Sequence, residues 1–318
     1  MIPDRVRARA ESLGRPGLAW LGRLPGLVAD LAEAWSLRLG EPLGGGSTSL
    51  VLRARDPAGA PVVLKVCQPD LDLAGQAATL ARAAGRGYVR LLAADLGRGA
   101  LLLEGLGPSL ETSGGPPERT LTVLCAVLAE AWRTPRPPGP AVRPDPDKAT
   151  ALAQAIEQSW PRLGRPCSRR VVDRALEYAE RRSTAFDLER AVVVHGDPHP
   201  GNALRLVTAR AGAGAGFVFV DPDGFLDDPA YDLGVVLRDW ATELAATPDP
   251  AGLLRGWCRL LAARTGVDPV AIWQWGYLER VSTGLYALRH GAPDLGRRLL
   301  DSAERLVEFP VAGPIDPA

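Results

Sequence analysis

The sequence predicts an α+β chain of two unequal parts: a strand-rich stretch over residues 1–107, then a longer, mainly helical stretch over 108–318 with a β-hairpin at its centre. Three observations predict it. From Leu39 to Leu103, short apolar runs alternate with turns rich in Gly, Pro and Asp, as in an antiparallel sheet. From Arg119 onward, apolar residues recur at helical spacing in segment after segment. Between those segments lie two apolar strands, Val192–Val194 and Phe217–Val220, and each runs into a conspicuously polar stretch.

Taken in order, Asp4 to Arg38 mixes apolar and charged residues, with Gly14, Pro16, Gly22 and Pro25 as breaks, and reads as one or two short leading helices. Leu39 to Val66 reads as strand, glycine-rich turn, strand, turn, strand. The first turn is Gly44–Ser49, GGGSTS, and the second is Asp56–Ala60. A helix is expected over Asp72–Ala84, and strands over Val89–Ala94 and Ala100–Leu103. Pro/Gly-rich loops at Ser113–Glu118 and Thr134–Asp147 flank a helix over Arg119–Arg133. Helices over Lys148–Trp160 and Ser168–Arg190 precede the central strands. Helices over Pro229–Ala246, Ala251–Thr265, Pro269–Arg289 and Asp294–Phe309 follow them, with Asp268–Pro269 as an N-cap and first-turn proline. Trp257, Trp273, Trp275 and Tyr277 are expected in the core.

Composition removes several classes of function. The chain has 318 residues, 46% hydrophobic and 23% charged, enough for a sizeable core. Its zero net charge gives no global field for nucleic acid or an anionic membrane. Cys67, Cys125, Cys167 and Cys258 are scattered without metal-ligand spacing, which fits a reduced cytoplasm. No signal peptide is expected from the N-terminal residues, and no apolar run of 18 suggests a membrane span. A monomer is expected. Of 37 basic residues only Lys65 and Lys148 are lysines. Lys148 lies in a polar stretch and reads as a solvated charge. Lys65 lies in the apolar strand PVVLKVC, where an ammonium needs an anion.

The central strands carry the chemistry. Val192–Val194 feeds HGDPHPGN, with His195, Asp197, His199 and Asn202, and Phe217–Val220 ends on Asp221. Ionised Asp is costly beside apolar strands unless it is paired or binds a cation. Asp197, then Asn202, then an apolar strand ending on Asp221 fits a phosphoryl-transfer site, in which one Asp orients the attacking hydroxyl while an Asn and a second Asp hold Mg²⁺. The glycine-rich turn, with Gly45, Gly46 and Ser47, followed by the strand lysine Lys65, fits a cradle for nucleotide phosphates.

HGDPHPGN and VDPDG resemble the catalytic-loop and metal-binding signatures of the aminoglycoside phosphotransferase family, relatives of the protein kinases. Within it the chain is most similar to the streptomycin and hydroxyurea phosphotransferase group, from about Trp35 to about Asp232. The resemblance implies a bilobal protein-kinase-like fold, residues 1–107 forming the nucleotide-binding lobe and 108–318 the catalytic one. It implies ATP and Mg²⁺ as cofactors, Asp197 as the catalytic base, Asn202 and Asp221 as metal ligands, and phosphates held by Lys65, Gly45, Gly46 and Ser47. Adenine would bond to the carbonyl of Glu104 and the N–H of Leu106. His195 and His199 would brace the loop, and Asp232 would bond its backbone. Asp223 would serve as a second metal contact or cap the turn at Gly224.

The chain departs from the kinase pattern where a helix glutamate usually pairs with the strand lysine: it offers Gln76, with Asp72 near the helix start. Either Lys65 lacks its ion-pair partner or Asp72 reaches it, and Gln76 can hydrogen-bond the ammonium more weakly than a carboxylate would. The locally acidic stretch from Asp221 to Glu243 would suit a cationic small-molecule acceptor. Streptomycin or a related aminocyclitol is the first expectation and hydroxyurea the next. A metabolite kinase and a nucleotide-binding module without turnover are the alternatives.

Overall fold

The computed structural model describes residues 2–44, 46–139 and 143–309. The chain forms two compact units. The first is Met1–Pro108 with Leu204–Asp221; the second is Ser109–Ala203 with Pro222–Ala318.

The first unit is built on a five-stranded antiparallel sheet. Its strands are β1 (Arg38–Pro42), β2 (Ser49–Arg55), β3 (Pro61–Cys67), β4 (Leu91–Asp95) and β5 (Ala100–Glu104), in the order β1-β2-β3-β5-β4. Alternation along β3 divides its side chains between two faces. Leu64 and Val66 enter a core with Leu50, Leu52 and Ala100, and that core is completed by the two leading helices, α1 (Asp4–Ser12) and α2 (Arg15–Ala34). Lys65 lies between them in sequence and so belongs to the other face, with Val51 and Leu101 as its cross-strand partners.

The leading helices differ from the expectation of short pieces. Over its 20 residues α2 continues through Gly22 and Pro25, with Pro16 in its first turn. Trp20, Leu24, Val28 and Leu31 recur at helical spacing and are buried, so one apolar stripe outweighs the local cost of Gly and Pro. Helix α3 (Leu73–Ala83) is capped by Asp72, whose carboxylate accepts from the Gly75 N–H at 2.9 Å.

The two central apolar runs do not pair with each other. β6 (Val192–Val193) pairs with β9 (Leu226–Asp227), whereas β7 (Ala203–Arg205) pairs with β8 (Phe217–Phe219), the short hairpin of the chain's middle. Phe219 also exchanges backbone bonds with Gly87 and Val89, each 2.8 Å, and Gly87 donates to Gly212. These bonds tie residues 204–221 to the first unit, although they follow residues 195–202 in sequence.

The second unit is helical: α4 (Pro117–Ala131), α5 (Lys148–Arg162), α6 (Arg169–Thr184), α7 (Pro229–Arg238), α8 (Ala241–Ala246), α9 (Pro250–Thr265), α10 (Pro269–Arg289) and α11 (Pro293–Leu306). Helix α10 is apolar on most sides and runs through the interior against α5, α6, α7, α9 and α11. The expected core aromatics Trp257, Trp273, Trp275 and Tyr277 are all buried.

The continuous helix expected over Pro229–Ala246 is broken at Asp239–Trp240. The Trp240 indole N–H donates to the Val236 carbonyl at 2.9 Å, occupying the acceptor that a continuing helix would give to a backbone N–H. Lys148 is not a freely solvated charge. Its ammonium lies 5.2 Å from the Tyr231 ring centroid and 5.4 Å from that of Phe225. Among the described residues no helix is long and apolar enough to cross a membrane.

Candidate active site

In the first unit, β3 delivers Lys65 and the end of β8 delivers Asp221. Lys65 is 4% exposed. Its ammonium donates to Asp221 Oδ1 at 2.7 Å and to Gln76 Oε1, from α3, at 2.9 Å. Both alternatives for the lysine's partner are thereby answered. Asp72 is spent on its helix cap, Gln76 does bond the ammonium, and the carboxylate comes from Asp221, 156 residues away. Asp221 is the one aspartate among the described residues with positive φ, +57°. That left-handed backbone is uncommon outside glycine, though Asp tolerates it better than most, and such strain concentrates at functional sites. Its side chain stays 44% exposed, so Lys65 does not enclose it.

Glycine-rich-turn residues follow β1. Gly45 lies outside the described residues. A Cβ added at Gly44 or Gly46 would meet nothing within 4 Å, so neither is glycine for the sake of the protein's own packing. The turn is anchored by Gln68, 2% exposed, just after β3. The Gln68 amide donates to the carbonyls of Ser47 at 3.1 Å and Val6 at 3.0 Å, and its backbone N–H donates to Thr48 O. Arg9 of α1 donates to Gln68 Oε1 and pairs with Asp70. No sequence signal marks Gln68, because an isolated polar residue at a strand end carries no motif.

At the end of β5, the N–H of Gly105 donates to Pro61 O and that of Gly107 donates to Arg205 O. Among the described residues the Leu106 N–H between them has no hydrogen-bond partner. The Glu104 carboxylate accepts from the Arg90 N–H and pairs with Arg210 at 2.6 Å, and its N–H donates to Arg90 O, so only its backbone carbonyl is left for a ligand.

In the second unit, β6 leads into the loop that holds His195, Asp197, His199 and Asn202. The Asp232 carboxylate, from the first turn of α7, accepts from the backbone N–H groups of His195 and Gly196, both at 2.9 Å, and from the Trp132 indole at 2.8 Å. Burial pushes Asp232 up to about 6, against the pull of these three donors. His195 is fully buried, and its Nδ1 accepts from the Asp197 N–H at 3.1 Å. His199 Nδ1 accepts from the Gly201 N–H. Both histidines brace the loop. Gly196 has φ +96°, and a Cβ there would stand 2.5 Å from an Asp223 carboxylate oxygen, so this position requires glycine on both counts.

The Asn202 amide nitrogen donates to the Asp197 carbonyl at 3.0 Å. That bond uses the amide N–H and leaves Oδ1 as the side chain's acceptor. The Asp197 side chain is 43% exposed and meets Arg238, the last residue of α7, at 2.9 Å. Burial acts to raise the Asp197 pKa, but Arg238, His199 and His195 outweigh it and hold the carboxyl below its ordinary range. Arg238 also pairs with Asp239 at 2.9 Å and lies 3.8 Å from Glu279 of α10. Sequence reasoning misses the Arg238–Asp197 pair, because Arg238 is there simply the one basic residue in the acidic stretch from Asp221 to Glu243. The same stretch is largely occupied: Asp221 by Lys65, Asp228 by the α7 cap, Asp232 by the loop and Asp239 by Arg238.

Asn202 and Asp221 each carry the kind of hard oxygen that magnesium takes, and magnesium accepts few ligands from protein and keeps phosphate and water oxygens. Among the described residues no three His, Cys, Asp or Glu side chains form a metal cage.

Comparison with known proteins gives the chain's family and fold. The chain is 28% identical over 308 residues to a streptomycin 6-kinase of Streptomyces glaucescens, covering 96% of each chain. It is 32% identical over 234 residues to a hydroxyurea phosphotransferase of Kitasatospora aureofaciens, covering 72% of this chain and 65% of that one. Its fold matches choline kinase LicA from Streptococcus pneumoniae at a TM-score of 0.58 and 12% identity, over 90% of this chain and 99% of that one. The fold is therefore the bilobal kinase-like one, a sheet-bearing unit and a larger helical unit. The model of the aminoglycoside/hydroxyurea antibiotic resistance kinases matches residues 35–291, from the residue after α2 to just beyond α10, and the chain belongs to that family of phosphotransferases.

Proposed function

We propose that this chain transfers the γ-phosphoryl group of ATP, with Mg²⁺, to a hydroxyl of an aminoglycoside such as streptomycin. The observation that carries the reading is Lys65: an ammonium buried in a strand after a glycine-rich turn, held by Gln76 and by the strained, half-exposed Asp221. Lys65, Gly46 and Ser47, with Gly45, hold the phosphates. The Glu104 carbonyl and the Leu106 N–H recognise the adenine. Asn202 and Asp221 supply oxygen ligands to magnesium, which when bound neutralises phosphate charge.

Asp197 accepts a hydrogen bond from the acceptor hydroxyl and aims its oxygen at phosphorus. As that oxygen bonds to phosphorus, the bond to the β,γ-bridging oxygen breaks. ADP leaves, and the hydroxyl proton is released by way of Asp197. Positioning and charge carry this chemistry, with no covalent enzyme intermediate.

Streptomycin is the first choice of acceptor because the streptomycin 6-kinase resemblance spans nearly both whole chains. Hydroxyurea is the second, on the higher identity but shorter match to the hydroxyurea phosphotransferase. ADP release and product mass, measured with Mg·ATP against streptomycin, hydroxyurea, amino sugars and choline, test the reading. Phosphorylated streptomycin is expected. ATP binding without transfer to any acceptor would contradict it.

A further inference from the structure

Asp197 stands on a loop, and a half-exposed carboxylate there has rotamer freedom that a reaction cannot use. In the second unit one side chain removes it. Arg238 Nη2 donates to Asp197 Oδ1 at 2.9 Å. Among the described residues the other oxygen, Oδ2, has only His199 Nε2 nearby, at 3.6 Å, beyond direct hydrogen bonding. We propose that Arg238 is a positioning residue for phosphoryl transfer, fixing Asp197 by one oxygen so that the other is presented to the acceptor hydroxyl. This inference rests on the phosphotransferase reading above.

The clamp is itself held. Arg238 is 13% exposed at its side chain, and its Nε donates to Asp239 Oδ1 at 2.9 Å. Its Nη1 faces Glu279 Oε2 at 3.8 Å. Glu279 is 4% exposed, takes the Tyr231 O–H at 2.9 Å and takes the Thr283 hydroxyl at 3.2 Å. The Tyr231 oxygen also lies 3.2 Å from the Gly196 carbonyl, so the support reaches the backbone of the loop it serves.

The helix crossing explains how the guanidinium gets there. A Cβ on Gly234 would stand 2.5 Å from Trp275 Cβ and 2.7 Å from the Gly276 nitrogen, so α7 and α10 touch at backbone distance. One turn further along each helix, Arg238 meets Glu279. Burial works against charge on Arg238, but Asp239, Asp197 and Glu279 outweigh it and keep it protonated. A planar guanidinium can serve three carboxylates in fixed directions, which an ammonium cannot do.

The competing role is structural: Arg238 could serve only to neutralise Asp239 and Glu279. A double-mutant cycle on the full-length chain separates the two. Arg238→Gln is expected to lower kcat for streptomycin about 100-fold, the cost of a misaimed reacting group. Mg·ATP affinity should stay within about threefold. In an Asp197→Asn background the same change should lower residual kcat by less than about threefold, because the group it positions is gone. Equal loss in both backgrounds, or no loss in either, would overturn the proposal. Should Arg238→Gln lose its cooperative thermal transition, Arg238→Lys carries the test. It keeps the charge but not the fork, so a loss of about tenfold is expected with Asp197 present and none in the Asp197→Asn background; equal loss in both backgrounds overturns the proposal here too. A wild-type chain that phosphorylates none of the acceptors removes the phosphotransferase reading and this role with it. Wild-type transfer with an unaffected Arg238→Gln removes only the role.

Discussion

Lys65 donates to Asp221 at 2.7 Å, so β3 is joined to the residues just after β8, 156 positions later in the chain. The relationship accounts for the lysine's burial and for the survival of an aspartate in left-handed backbone. Gln76 takes a second ammonium N–H where kinases usually place a glutamate. Lys65→Met should weaken Mg·ATP binding at least tenfold, a charge-assisted contact being worth about 1.5–3 kcal/mol. Gln76→Glu should leave turnover within about threefold, since Asp221 already supplies the carboxylate, whereas Gln76→Ala should do more harm. Nucleotide titration and steady-state kinetics read both effects.

Asp197→Asn should lower kcat by about 10²–10⁴-fold and leave nucleotide affinity nearly intact. The hydrogen bonds that shape its loop come from Asp232 and from His195 Nδ1, so the variant should fold. Parallel measurement of kcat and Mg·ATP thermal stabilisation checks the split. Full turnover in the variant would remove the assignment of Asp197.

Gln68→Ala should raise KM for ATP several-fold without changing KM for the acceptor. The Gln68 side chain links the Ser47 carbonyl to the Val6 carbonyl, so its loss frees the glycine-rich turn from α1. It also leaves two carbonyls underbonded beside a buried gap, at about 1–3 kcal/mol each before relaxation. Thermal unfolding and the two KM values distinguish a loosened turn from general destabilisation.

Asp227 gives a pH signature of stability. Burial, followed by the charges of Asp228, Asp147 and Asp232, pushes its carboxyl up to about 7, against a hydrogen bond from the Asp228 N–H. The folded chain thus keeps a proton that the unfolded chain releases near pH 3.8. Stability from this group is complete below about pH 4 and is lost as pH rises through about 7, a change on the order of a few kcal/mol. Asp227→Asn should therefore gain in Tm relative to the wild type as the buffer goes from pH 5 to pH 8. A difference that stays flat over that range would contradict the assignment.

Much of the candidate site is proposed from the sequence alone, because phosphoryl transfer would need particular residue types at fixed spacing. Asp197, Asn202 and Asp221 stand out as polar residues at the ends of apolar strands, and Lys65 stands out as an ammonium inside one. What the sequence conceals is partnership over long separations. No local pattern tells that Lys65 meets Asp221, that Gln68 joins α1 to the glycine-rich turn, or that Arg238 turns toward Asp197 and not toward solvent. The same limit holds for the fold. Strands β1 to β5 follow from alternation and turn residues. The length of α2 depends on a buried stripe that outweighs Pro25, and the break after α7 depends on one indole N–H taking a helix carbonyl.

The most direct test is the product of a single incubation: full-length chain, Mg·ATP and streptomycin, followed by mass spectrometry, with the Asp197→Asn chain alongside. The account predicts streptomycin carrying one added phosphoryl group with an equal yield of ADP, and almost none of either from the variant. Unmodified streptomycin in the presence of a wild-type chain that demonstrably binds Mg·ATP would contradict it.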